Sequence, residues 1–66
     1  MNMQTTMDRL TIRNKPVHVY EQYYGNRITL QFEVDGEWAG TIPNRLSQNR
    51  NGERDRYIAE TIKMNE

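Results

Sequence analysis

His18 and Ser47 are the only histidine and the only serine in a 66-residue chain that has no cysteine. Nucleophilic catalysis needs a hydroxyl or thiol beside a base that a third group orients. Ser47, between Leu46 and Gln48, has no nucleophile-elbow surroundings, and His18 on a strand reads as a sheet-packing residue. Glu33, Asp35 and Glu37 bracket a turn and could offer oxygens to a hard cation, but no calcium-loop spacing accompanies them. They read as solvated charges that discourage edge pairing. The four glycines are scattered, so no phosphate-cradling loop is present. The expectation is a protein that is not an enzyme and uses no metal and no cofactor.

Recognition chemistry is better represented. Arg45, Arg50, Arg54 and Arg56, with Asn44, Asn49 and Asn51, supply planar donors suited to phosphates and base edges. Tyr20, Tyr24 and Tyr57 could stack on an unpaired base. Glu53 and Asp55 interrupt the basic run, and nine acidic residues balance nine basic ones. A nucleic-acid-binding domain is usually clearly basic. Arg and Tyr also carry protein–protein hot spots.

The preferred expectation is therefore a small protein-interaction module: an inhibitor, adaptor or regulator, of a kind common among phage and mobile-element accessory proteins. The alternative is a single-stranded nucleic-acid- or RNA-binding domain using loop 44–56 and the surface tyrosines. Candidate partner-binding residues are His18, Tyr20, Gln22, Tyr24, Arg27 and Gln31 on a sheet face, with Arg45, Arg50 and Arg54 in the loop. No apolar run approaches the ~20 residues of a membrane span, and the N-terminus lacks a leader pattern, so the default location is the cytoplasm.

Those side chains must be positioned by a small sheet. Two turn signals, Gly25-Asn26 and Asp35-Gly36, separate β-rich runs at 17–24, 27–34 and 37–43 and predict an antiparallel meander. Strand 27–34 alternates strictly, with Ile28, Leu30, Phe32 and Val34 on one face. A tight turn at Gly25-Asn26 sets Val17, Val19 and Tyr23 on that same face, with Glu21 as the one misfit opposite Leu30. Glu21 needs either an ion pair with Arg27, Arg45 or an N-terminal arginine, or a role as a polar anchor in an interface.

The second hairpin has two registers. A bulge at Gly36 would turn Trp38 and Ile42 inward, and apolar burial favours it over the unbulged turn. Residues 9–13 can add an edge strand that Asn14-Lys15-Pro16 would stop. Residues 1–8 read as frayed and 44–54 as a polar loop, all within one domain spanning 1–66. A core this thin leaves homo-oligomerisation open as a source of stability.

Residues 55–64 have Ile58 and Ile62 at helical spacing, with Asp55 able to cap and Lys63 near the end. The predicted class is β-rich α+β, a three- to four-stranded meander with this helix packed on it. The alternative is an all-β barrel closed by a strand at 56–63. In that case the segment Gly40-Thr41-Ile42-Pro43-Asn44-Arg45-Leu46 resembles the stretch before the 3₁₀ turn of Src-homology-3 barrels. The resemblance covers seven residues of 66 and implies a local turn only.

Overall fold

The computed structural model describes residues 3–66. Strands β1 (Met3–Ile12), β2 (Lys15–Tyr24), β3 (Arg27–Val34) and β4 (Glu37–Thr41) form one antiparallel sheet in sequential order. Two 3₁₀ turns, Asn44–Leu46 and Arg50–Gly52, lead into helix α1 (Glu53–Met64). The β-rich α+β meander is the fold. Residues 56–63 are helical, so the barrel alternative is not adopted, although a 3₁₀ turn does follow Pro43.

The hairpin turns explain the topology. Arg13 (φ 52°) and Asn14 (φ 63°) both take left-handed backbone, as do Asp35 (φ 54°) and Gly36 (φ 81°). Positive φ at both central positions is the type I′ turn, whose twist matches that of paired strands. At the remaining turn Gly25 alone has positive φ (62°), as a type II′ turn requires at its first central position.

Arg13-Asn14 corrects the reading of the N-terminus. Asn14 does not stop an edge strand; it turns one. β1 pairs with β2 from Met3↔Tyr23 to Ile12↔Lys15, with a bulge at Met7. Residues 3–8 are therefore strand, and the first two residues of the expected frayed segment lie outside the described residues. Pro16 sits next to the turn, where its carbonyl accepts from the Asp35 N–H at 3.0 Å.

β2 and β3 pair as the Gly25-Asn26 turn dictates, with Val19↔Phe32 and Glu21↔Leu30. The third hairpin corrects the expected bulge. Val34↔Glu37 and Glu33↔Trp38 make a two-residue turn, and the register shifts only beyond them, to Phe32↔Gly40. The extra residue is Ala39. Trp38 therefore points to the outer face and is 61% exposed, while Ile42 returns to the inner face and is buried. Asp35 tolerates the left-handed region, so the tip needs no bulge. Gly40 accommodates the Phe32 ring: a Cβ there would lie 3.2 Å from Phe32 Cε1.

The core joins Val17, Val19, Leu30 and Phe32 of the sheet to Ile42, Leu46, Ile58 and Ile62. Arg54, Ile58 and Ile62, four residues apart, form the buried stripe of α1. The helix begins at Glu53, not at 55, and Asp55 is not its cap. Gly52 (φ 72°) precedes the first turn, and the Asp55 N–H donates to Asn49 Oδ1 at 3.2 Å. The stretch expected as a polar loop is thus ordered into two turns, with Leu46 inserted in the core. The inner face is covered over only part of its length: Ile28 is 54% exposed and Tyr23 half-buried, where both were expected inside.

Candidate interaction surface

Among the described residues no helix or loop covers the outer face of the sheet, yet several of its side chains are out of solvent. Tyr20 is 3% exposed, and Gln22 and Gln31 are also buried. They bury one another. Tyr20 Oη donates to Gln31 Oε1 at 3.0 Å, and Trp38 Nε1 donates to the same oxygen at 3.2 Å. Gln31 Nε2 in turn donates to Tyr24 Oη at 3.0 Å. Gln31 is thus the hub of three aromatic side chains. Beside it, Gln4 Nε2 donates to Gln22 Oε1 at 3.0 Å, and Gln22 Nε2 donates to the Met3 carbonyl at 3.2 Å. A sheet face built this way keeps its polar groups paired without a second layer.

Tyr24 and Trp38 remain 46% and 61% exposed. Tyr24 lies seven positions before Gln31, so its ring must run along the sheet to reach the amide. With the Tyr24 phenol oxygen accepting from Gln31 and the Trp38 indole donating to it, both rings are held in one place. Rigid exposed aromatics lose little entropy on binding. Arg27, the cross-strand neighbour of Tyr24, is exposed at the same end.

His18 joins two neighbours on the same face. Thr6 Oγ1 is 2.8 Å from His18 Nε2, and His18 Nδ1 is 3.2 Å from Glu33 Oε1. A carboxylate only accepts, so Nδ1 carries the proton toward Glu33. A neutral ring then accepts the Thr6 hydroxyl proton at Nε2. The sequence alone did not join Thr6 to His18, because Thr6 lay in the segment read as frayed. The line has the order of a hydroxyl–imidazole–carboxylate relay, but it lies on an open face. Neither Thr6 nor His18 lines any of four shallow depressions found among the described residues. The Thr6 and Glu33 contacts hold the imidazole between strands β1 and β3.

The structure divides the candidate residues into two groups. His18, Tyr20, Gln22, Tyr24, Arg27 and Gln31 do share one face. Arg45 and Arg50 do not join them: Leu46 fixes the loop under the inner face, on the helix side. Arg45 shares a shallow depression with Glu53, Arg56 and Glu60, and Arg50 Nη2 donates to Gln48 Oε1 at 3.3 Å. Arg54 is set apart from the other loop arginines by burial. It is 7% exposed and its Nη2 lies 3.0 Å from Asp8 Oδ2 and 2.8 Å from Asp55 Oδ1. Arg54 ties the helix to β1 through its Nη2 and to Asp55 through Nε and Nη2.

Three groups have altered acidity: Tyr20 on the outer face, and Arg13 and Glu66, where the Glu66 hydrogen bond and charge raise the Arg13 guanidinium above its ordinary value. Burial, with the nearby Glu33 charge, raises the Tyr20 phenol above its ordinary value. The Arg13 hydrogen bond and charge hold the Glu66 carboxyl below its ordinary range, through contacts of 2.8 and 2.9 Å. Among the described residues no group of three or more His, Cys, Asp or Glu side chains could hold a metal ion, and no helix is long and apolar enough to cross a membrane. No family model, curated protein or solved structure matches the chain.

Proposed function

We propose that this chain is a small non-enzymatic module that binds another protein through the uncovered outer face of its sheet. The observation that carries this reading is the Gln31 hub, which leaves Tyr24 and Trp38 exposed but fixed. Exposed, preorganised Trp and Tyr beside an arginine form the side-chain set that dominates protein interfaces. Inhibitor, adaptor and regulator all fit such a module. The nucleic-acid reading needs the loop arginines as a continuous cationic track. Arg54 is consumed by Asp8 and Asp55, and Arg45 lies among Glu53 and Glu60, which favours a protein partner.

The test is comparative capture from lysate by three immobilised proteins: wild type, a Tyr24→Ala/Trp38→Ala variant and an Arg45→Ala/Arg50→Ala variant. A specific partner should be retained by wild type and the loop variant and lost by the face variant. Fluorescent oligothymidine is titrated in parallel at rising salt. Salt-sensitive oligothymidine binding that disappears in the loop variant would replace this reading with the nucleic-acid one.

A further inference from the structure

At the end of the sheet formed by the β2–β3 turn, β1, β2 and β3 run beyond the cover of α1. Their inner face there leaves Met3, Met7 and Ile28 exposed. Between this overhang and the first 3₁₀ turn lies a depression of about 360 Å³. Met7, Ile28 and Leu30 wall it, Asn44 and Gln48 rim it, and Glu21 supplies its carboxylate. Its size falls within the ~300–1,000 Å³ range of ligand-binding clefts.

Glu21 is the misfit of the sequence, and none of its expected ion pairs forms. Among the described residues its side chain is hydrogen-bonded to the Tyr23 hydroxyl alone, at 3.0 Å, and no lysine or arginine stands within ion-pair distance. Glu21 is half-buried and lines the depression beside Met7, Ile28 and Leu30 without an ion-pair partner. Tyr23 supplies one hydrogen bond; the second oxygen is uncommitted.

We infer that this depression receives the side chain of an arginine or lysine of the partner protein. The inference rests on the protein-binding reading above and adds a second contact to it. A basic side chain is the complement on both counts. Its aliphatic stem packs against Met7, Ile28 and Leu30, and its head group pairs with Glu21. Methionine adapts its shape to either stem. A neutral side chain would leave the carboxylate uncompensated, and an acidic one would be repelled.

The experiment uses protein labelled at its Met and Ile methyl groups. It is titrated with blocked tripeptides carrying a central arginine, norleucine or glutamate between alanines, and with spermidine. The arginine peptide should shift the Met7 and Ile28 methyls saturably and leave Ile58 and Ile62 in place. Norleucine should bind more weakly, and glutamate not at all. Glu21→Gln should weaken the arginine peptide about tenfold, the worth of one charge-assisted hydrogen bond. Tyr23→Phe, which keeps the carboxylate and removes its internal donor, should bind at least as well as wild type.

Equal binding of norleucine and arginine would overturn the inference, as would full arginine binding by Glu21→Gln. Spermidine moving the same methyls as strongly would identify a free polycation as the ligand instead. Met7 and Ile28 shifts that depend on protein concentration before any peptide is added would place a second copy in the depression. If the Tyr24→Ala/Trp38→Ala variant loses its partner while these titrations fail, the outer-face reading stands and this depression alone is refuted.

Discussion

Gln31→Leu tests the hub that organises the outer face. Leucine has nearly the volume of glutamine, so the change removes three hydrogen bonds and creates little cavity. The consequences differ among the three partners. Tyr24 and Trp38 are exposed, and water can replace the amide at their polar atoms. The Tyr20 hydroxyl cannot be rescued so easily, because the residue is 3% exposed. Leaving one buried donor unpaired costs about 1–3 kcal/mol. Taking about 2 kcal/mol, the melting temperature should fall by roughly 8–16 °C, since each kcal/mol moves a domain of this size by about 4–8 °C. Urea unfolding is followed by circular dichroism and by the fluorescence of the single tryptophan, which also reports release of its ring. The decisive comparison is Tyr20→Phe in the same background. Removing both partners abolishes the orphaned hydroxyl, so the double variant should be more stable than Gln31→Leu alone. Loss of less than about 0.5 kcal/mol in Gln31→Leu, the range of an ordinary surface change, would refute the hub. So would a Tyr20→Phe substitution that destabilises Gln31→Leu as much as it does wild type.

Gly40→Ala places a methyl 3.2 Å from Phe32 Cε1, and overpacking of this kind should lower stability by about 1–3 kcal/mol in a thermal melt. Asp8→Ala removes one of the two carboxylates on buried Arg54. Because Asp8 is half-exposed and Asp55 remains, the loss should be about 1 kcal/mol, and it should vanish in an Arg54→Met background. The Arg13 hydrogen bond lowers the pKa of Glu66, so its contribution is present above the unfolded carboxylate value and is lost as pH falls through the folded one. Arg13→Gln should accordingly flatten the acid limb of the stability–pH curve. The Tyr20 phenol is raised, so its contribution is present below the ordinary 10.0 and is lost as pH climbs through the folded value. Tyr20→Phe should remove that alkaline loss.

The parts of the fold legible in the sequence are those set by local rules. Gly25-Asn26 and Asp35-Gly36 are turn signals in themselves, and the alternation of residues 27–34 gives both the strand and its inward face. Met3–Met7 escaped because Gln4, Thr5 and Thr6 carry no apolar alternation: that part of β1 lies beyond the helix and has nothing to bury against. The usable signal was Arg13-Asn14 between two β-rich runs, since asparagine is among the residues that accept left-handed backbone. The Trp38 error arose differently. Its direction depends on where the extra residue of β4 sits, and that is set by the Phe32 ring lying over Gly40, a contact between strands. Arg54 escaped because a charged residue inside a basic run looks solvated. Its spacing of four from Ile58 and eight from Ile62 was the available clue to burial.

A sheet with one covered face normally presents its other face to water. The side chains instead close that face among themselves: the amides of Gln22 and Gln31 take the place of a second layer, and the Tyr20 and Trp38 donors are spent inward. What remains outward is ring surface fixed in position, with the Trp38 indole N–H engaged and the Tyr24 hydroxyl still holding its own O–H to donate. On the proposed reading, such a surface would meet a folded protein through ring contact, with the Tyr24 O–H free to donate one hydrogen bond. Adjacent residues of β2 then divide the labour. Tyr24 turns outward to Gln31, whereas Tyr23 turns inward to hold Glu21 at the edge of the opposite depression. Both features stand on the same overhanging hairpin, one on each of its faces. A partner that closes around this end of the sheet would meet the fixed tyrosine on one side and the uncompensated carboxylate on the other. It would need an apolar contact surface and one basic side chain to satisfy both.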